Sequence, residues 1–172
     1  MRQRYFVFLS MQKSWLPLLG LALAQVKVGD VVPPGLEASD EMEQKVSFGA
    51  LRGQWVVLFF YPHDDTPGCT RQAKEFSRLL PDFKKAGAVV YGISTQSAES
   101  HRAFKKKHGL RVPLLVDQEG KLSDFFGVKR FMGMCSRDVV VIDPEGKVAL
   151  FRQGVSPDTS PREVLTFLRQ RQ

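Results

Sequence analysis

The sequence predicts an α/β domain with a mixed central sheet flanked by helices on both faces. Trp55 to Tyr61 is an unbroken run of seven aliphatic or aromatic residues, the pattern of a strand buried on both sides. Helically spaced segments starting near Thr66 and Ser97 alternate with the apolar runs 55–61 and 88–93. Strand, helix, strand, helix implies right-handed crossovers and a parallel pair. Asp143-Pro144-Glu145-Gly146 is a turn sequence between two short apolar runs, which adds an antiparallel hairpin. A chain of 172 residues, 43% hydrophobic and 25% charged, suits one soluble domain with a substantial core.

The elements follow in order. Residues 1–25 are set apart as a signal peptide or a disordered extension, and 26–172 as the domain. Val28 to Leu51, rich in Gly, Pro and acidic residues, reads as an arm with a small hairpin around Lys45-Val46-Ser47-Phe48. The run 55–61 is the central strand, stopped by Pro62. In the next helix, Ala73, Phe76, Leu79, Leu80 and Phe83 recur at three and four, and Gly87 supplies a C-terminal cap. Pro81 is expected to kink or divide that helix. Ala88 to Ile93 is a second strand, Ser97 to His108 a helix, Leu114 to Val116 a short strand and Lys121 to Phe126 a short helix. Val139 to Ile142 and Val148 to Phe151 flank the turn. Ser160-Pro161-Arg162-Glu163 reads as a capping box opening a last helix that buries Val164, Leu165 and Leu168. This order fits a thioredoxin-like fold.

The formal net charge is +7, but Arg2, Arg4 and Lys13 stand in the first 25 residues with no acidic residue among them. The densest basic run, Lys105 to Lys107, ends a predicted helix, where cations suit the helix dipole, so nucleic-acid binding is not expected. After Lys13 an apolar stretch, Trp15 to Leu23, ends in Ala22-Leu23-Ala24, the small-x-small form of a signal-peptidase site. The stretch is too short for a bilayer of about 30 Å, so a stable membrane anchor is not expected. Cleavage would make the protein exported, periplasmic or extracellular; without cleavage it is cytoplasmic.

Cys69 and Cys135 are the only cysteines. Two cysteines and three scattered histidines form neither a disulfide scaffold nor metal-ligand spacing, so neither metal nor cofactor is expected, and a cysteine that matters does so through reactivity. With Thr66 as N-cap and Pro67 first in the helix, Cys69 is the third helical residue, among unpaired backbone amides. The positive end of the helix lowers the pKa of a thiol placed there and favours the reactive thiolate. Gly68 lets a substrate approach the backbone closely.

Pro62-His63-Asp64-Asp65-Thr66-Pro67-Gly68-Cys69 resembles the Pro-x-x-x-Thr-x-x-Cys signature of peroxiredoxins. Thr66-Pro67-Gly68-Cys69-Thr70-Arg71-Gln72-Ala73 resembles the bacterioferritin-comigratory, or Q-type, subfamily. The likeness runs from about Val28 to the C-terminus. It includes Phe131-Met132-Gly133, and Arg137 just before the hairpin, where the family carries its active-site arginine. The resemblance implies a thiol peroxidase that reduces hydrogen peroxide and organic hydroperoxides through a sulfenic acid on Cys69, with antioxidant and redox-homeostasis roles. Arg137 would supply a cation to the departing oxygen, Thr66 a hydroxyl and the Cys69 amide a dipole, while Pro62 shields the thiolate. The sulfenic acid would be reduced by thioredoxin, a thioredoxin-like protein or a low-molecular-weight thiol. The chain is expected to be a monomer or weak dimer.

Many subfamily members carry a resolving cysteine five residues after the nucleophile, where this chain has Lys74. Cys135, two residues before Arg137, is a candidate resolving residue, since residues two apart on a strand share a face. It is otherwise a small buried cysteine, which leaves a one-cysteine mechanism with an external thiol. Gln72 either helps hold the site or lies on a solvated helix face, and His63, His101 and His108 read as surface residues. Two other functions stay open. A thiol-disulfide oxidoreductase would need Cys-x-x-Cys, whereas position 72 is Gln; a non-catalytic thioredoxin-fold binding module would not require Thr66, Cys69 and Arg137 together.

Overall fold

The computed structural model describes residues 26–172. The expected leader, with Trp15 to Leu23 and Ala22-Leu23-Ala24, lies outside the described residues. A small hairpin of β1 (Glu37–Asp40) and β2 (Lys45–Ser47) leads into β3 (Trp55–Phe60), α1 (Pro67–Lys85), β4 (Ala88–Ser94) and α2 (Ala98–His108). There follow β5 (Leu114–Val116), α3 (Lys121–Phe126), the two-residue strands β6 (Arg130–Phe131) and β7 (Met134–Cys135), the hairpin β8 (Asp138–Ile142) and β9 (Val148–Arg152), and α4 (Ser160–Arg169).

Seven strands form one mixed sheet in the order β2-β1-β5-β4-β3-β8-β9. The β3-β4 and β4-β5 pairs are parallel, and the β3-β8 and β8-β9 pairs antiparallel. Expectation and structure agree on this frame. The separate β6-β7 hairpin, with Phe131 and Met132 exposed, escaped the sequence reading because its strands are too short to show a period.

Alternation along β3 divides the core into two layers. Val57, Phe59 and Tyr61 pack with Ala73, Phe76 and Phe83 of α1, Phe104 of α2 and Val164, Leu165 and Leu168 of α4. Phe59 stacks on Phe76 with ring centroids 4.3 Å apart. Val56, Leu58 and Phe60 face the other way, against Leu122 and Phe126 of α3 and Val32, Leu36 and Phe48 of the arm.

Two local expectations are corrected. α1 runs unbroken through Pro81, so the proline does not divide it. Only the bond to the carbonyl one turn back is forgone there, and the ring sits on the exposed side. Ser160 is not the cap of α4: Thr159 holds that position without a side-chain cap, and Ser160 is buried as the first helical residue.

Candidate active site

The run β3 ends at the core, and the chain turns through Tyr61 to Asp65 into the start of α1. Thr66 is the N-cap residue with extended backbone, Pro67 opens the helix, and Cys69 is its third residue. The first helical bond runs from the Thr70 N–H to the Thr66 carbonyl at 2.8 Å, so the Gly68 and Cys69 amides precede the ladder. Their N–H dipoles are thus free to face an anion at the helix start.

Arg137 arrives from the junction of β7 and β8. Its Nη2 donates to Cys69 Sγ at 3.4 Å and its Nη1 donates to Gln72 Oε1 at 2.8 Å. Gln72 is fully buried, and its Nε2 donates to Ser160 Oγ at 3.0 Å. One amide therefore ties the arginine of the β7-β8 link to both the helix that carries Cys69 and α4. The neighbouring Asp138 fixes the arginine's backbone: its buried carboxylate accepts from Ser136 Oγ at 2.8 Å and from the Gly154 N–H at 3.0 Å.

Gly68 also has a packing role. A methyl group there would lie 3.2 Å from Arg137 Nη2 and 3.6 Å from Pro157, so the missing side chain makes room for the guanidinium. Thr66 differs from expectation. Its hydroxyl does not cap the helix but donates to the His63 carbonyl at 3.0 Å. With its proton committed there, the oxygen is left with acceptor capacity for another O–H and none for donation. Pro62 is half-buried beside the end of β3, and its carbonyl accepts from Gln96 Nε2 at 3.5 Å.

Cys135 is not brought to Cys69. It packs with Phe60 and Phe126 in the layer on the other side of the sheet, whereas Cys69 packs with Phe59 and Tyr61. The expectation of a shared face fails because Cys135 ends β7 and Arg137 lies in the link to β8, so the two are not on one strand. Burial pushes the Cys135 thiol up to about 11, partly offset by Ser123, whose Oγ lies 3.3 Å from its sulfur. Cys69 is itself only 1% exposed, with the half-buried arginine against its sulfur.

His101 is wholly buried, contrary to the surface reading. Gln72 and His101 were both legible in principle: Gln72 shares the stripe of Cys69, Ala73 and Phe76, and His101 lies one turn before Phe104 on the inner face of α2.

A thiol at a helix start, an arginine hydrogen-bonded to its sulfur and an acceptor-only threonine together suit attack on a weak, polarisable O–O bond. Residues 28–151 match the AhpC/TSA family. The chain is 39% identical over 149 residues to a chloroplastic peroxiredoxin Q of Suaeda salsa, covering 85% of this chain and 69% of the relative. It is 36% identical over 148 residues to a putative peroxiredoxin bcp of Coxiella burnetii, covering 81% and 97%. A solved bacterioferritin comigratory protein of Xanthomonas campestris, described by its alkyl peroxide reduction activity, superposes with a TM-score of 0.77 at 32% identity, over 84% of this chain and 98% of that one. On this fold, this sequence match and this site, the chain belongs to the AhpC/TSA family as a thiol peroxidase of the peroxiredoxin Q and bacterioferritin-comigratory group.

Proposed function

We propose that Cys69 alone carries the redox cycle, reducing hydrogen peroxide and organic hydroperoxides and being regenerated by an external thiol. The observation that carries this reading is the 3.4 Å hydrogen bond from Arg137 to Cys69 Sγ. The thiolate attacks one peroxide oxygen, a sulfur–oxygen bond forms and the O–O bond breaks. The electron pair leaves on the second oxygen, which takes a proton as water or alcohol, while sulfur is oxidised to sulfenic acid. Arg137 and the first-turn amides face the charge that develops on the leaving oxygen, in a site where water is largely excluded.

A low-molecular-weight thiol or a thioredoxin-like dithiol then attacks Cys69, releasing water and forming a mixed disulfide, and a second thiol displaces the free enzyme thiol. The separation of Cys135 and the lysine at position 74 support this one-cysteine route. Organic hydroperoxides are included because the Xanthomonas relative is described by alkyl peroxide reduction. We further propose export, on the strength of Trp15 to Leu23 and Ala22-Leu23-Ala24, which would put an exported thiol carrier in place of the cytosolic one. The mature N-terminus, read by mass spectrometry of the protein from its native compartment, tests this; an intact residue 1 overturns it.

The test of the central reading is single turnover. Reduced protein should consume one equivalent of hydroperoxide and acquire sulfenic acid on Cys69, and Cys69→Ser should consume none. Peroxide loss at an undiminished rate in Cys69→Ser would remove the assignment.

A further inference from the structure

Behind the nucleophile's loop lies a buried polar cluster that the reaction as described does not use. Asp64 is 5% exposed and His101 wholly buried. Asp64 Oδ1 accepts from the Tyr61 hydroxyl at 2.6 Å, and Oδ2 accepts from Ser100 Oγ at 2.8 Å and lies 2.6 Å from His101 Nδ1. His101 Nε2 faces the Leu115 carbonyl at 3.0 Å, which can only accept, so that nitrogen carries a proton. The Asp64 carboxylate receives the donors from Tyr61 and Ser100 and lies against His101 Nδ1, so the ring is held between a carboxylate and a backbone carbonyl. The Asp64 carboxyl is held below its usual range: burial alone would raise it, and the hydrogen bond and charge of His101, with Tyr61 and Ser100, outweigh that.

The cluster grips the backbone that carries the site. The Asp64 N–H donates to Gln96 Oε1 at 3.0 Å, and His63 Nδ1 donates to the Asp64 carbonyl at 2.8 Å. The His63 carbonyl in turn receives the Thr66 hydroxyl. Asp65, next in the chain, has φ +61, a left-handed conformation that a non-glycine residue keeps only when its surroundings hold it. It is held by His108 Nε2 at 2.6 Å and Lys107 Nζ at 2.7 Å. His101 and His108 are two turns apart on one face of α2, so that helix clasps the loop at adjacent aspartates.

We propose that Asp64, gripped by His101, Tyr61 and Ser100, is a positioning residue that sets where the Thr66 oxygen and the start of α1 stand relative to an incoming hydroperoxide. Asp64, Ser100 and His101 make no hydrogen bond to the Cys69 sulfur, and Tyr61, which packs in the same layer as Cys69, spends its hydroxyl on Asp64. Burying a carboxylate is a poor route to stability, and its place beside a strained loop fits geometric specification. The inference rests on Cys69 being the peroxide-reactive thiol.

The test compares two reactions of the same sulfur at one pH: first-turnover oxidation by hydrogen peroxide, which uses the loop, and alkylation by iodoacetamide, which needs only a thiolate. In Asp64→Asn and His101→Gln the ratio of peroxide to iodoacetamide rate constants should fall about tenfold or more, since small misplacements of positioning groups are costly in rate. Tyr61→Phe and Ser100→Ala, which each remove one hydroxyl, should lower it about threefold. Where the charge-removing variants fail to fold, the two hydroxyl variants decide. A purely structural cluster would lower the melting temperature and leave the ratio unchanged, so ratios at the wild-type value in all folded variants overturn the proposal. A wild-type protein that alkylates but does not react with peroxide would instead overturn the underlying assignment of Cys69.

Discussion

Arg137 reaches across 68 residues of sequence to place Nη2 3.4 Å from Cys69 Sγ, while its other terminal nitrogen is held by Gln72. The planar fork is what makes this possible, because one guanidinium addresses the sulfur and the buried amide at fixed geometry, which a single ammonium cannot do. Arg137→Lys retains the charge but loses one of the two bonds. It should lower the second-order rate constant with hydrogen peroxide about a hundredfold, the usual cost of removing an oriented donor at a developing oxyanion. Stopped-flow oxidation of the reduced protein measures this, and a lysine variant at the wild-type rate would show that charge alone suffices.

Gln72 joins three elements, accepting from Arg137 and donating to Ser160. Gln72→Ala leaves Arg137 Nη1 and the buried Ser160 hydroxyl without their partner. The expected loss is about 1–3 kcal/mol of unfolding free energy. Peroxide reaction should slow as the arginine loses its anchor, whereas Ser160→Ala should cost less on both counts because Arg137 keeps its bond to Gln72. Urea unfolding and single-turnover rates on both variants check the ranking, and equal effects would contradict this chain of support.

The sheet, its parallel and antiparallel pairs and the helix starting at Pro67 were legible because each rests on local signals: a seven-residue apolar run, a Pro-Gly helix start, and a turn between two short apolar strands. The pairing of Cys69 with Arg137 came through family resemblance, since no local rule spans that separation. Polar residues are hardest to place where periodicity and residue type disagree. His101, expected at the surface, and Gln72, for which a site role and a solvated face both stayed open, sit at inner positions of their helices, and only the partners supplied by Asp64 and Arg137 make their burial tolerable. Ser160 was misassigned for the converse reason, as its capping signature is local and the competing bond to Gln72 is not.

Glu75 links α1 to α4 by accepting from Arg78 at 2.6 Å and from Arg162 at 3.0 Å. The Arg78 hydrogen bond is the largest influence on its carboxyl, and with Arg162 it outweighs partial burial to bring the value down to about 2. A carboxyl lowered in the folded state stabilises the fold above its unfolded value of about 4.3, and that contribution is lost as pH falls toward about 2. Both arginines are largely exposed, which limits the effect to about 1 kcal/mol. Glu75→Gln should therefore be less stable than wild type at neutral pH and indistinguishable near pH 2. Chemical denaturation at both pH values tests this, and a pH-independent difference would rule out the charge as its source.

Cys135 offers the sharpest division between structural and redox roles. Its thiol is buried, bonded to Ser123 and pushed up to about 11, so near neutral pH it stays protonated and a poor nucleophile toward a sulfenic acid. Because its value is raised in the folded state, its contribution to stability is complete below the unfolded value of about 8.5 and is lost as pH rises toward about 11. Cys135→Ala should flatten that alkaline decline. It should also change the first-turnover rate with hydroperoxide, and turnover with a small external thiol, by less than about twofold. Wild-type protein oxidised without a reductant should show sulfenic or sulfinic acid on Cys69 and a free Cys135 by mass spectrometry. An internal Cys69 to Cys135 disulfide forming as fast as the enzyme turns over would require the two core layers to open during the cycle, and would replace the one-cysteine mechanism.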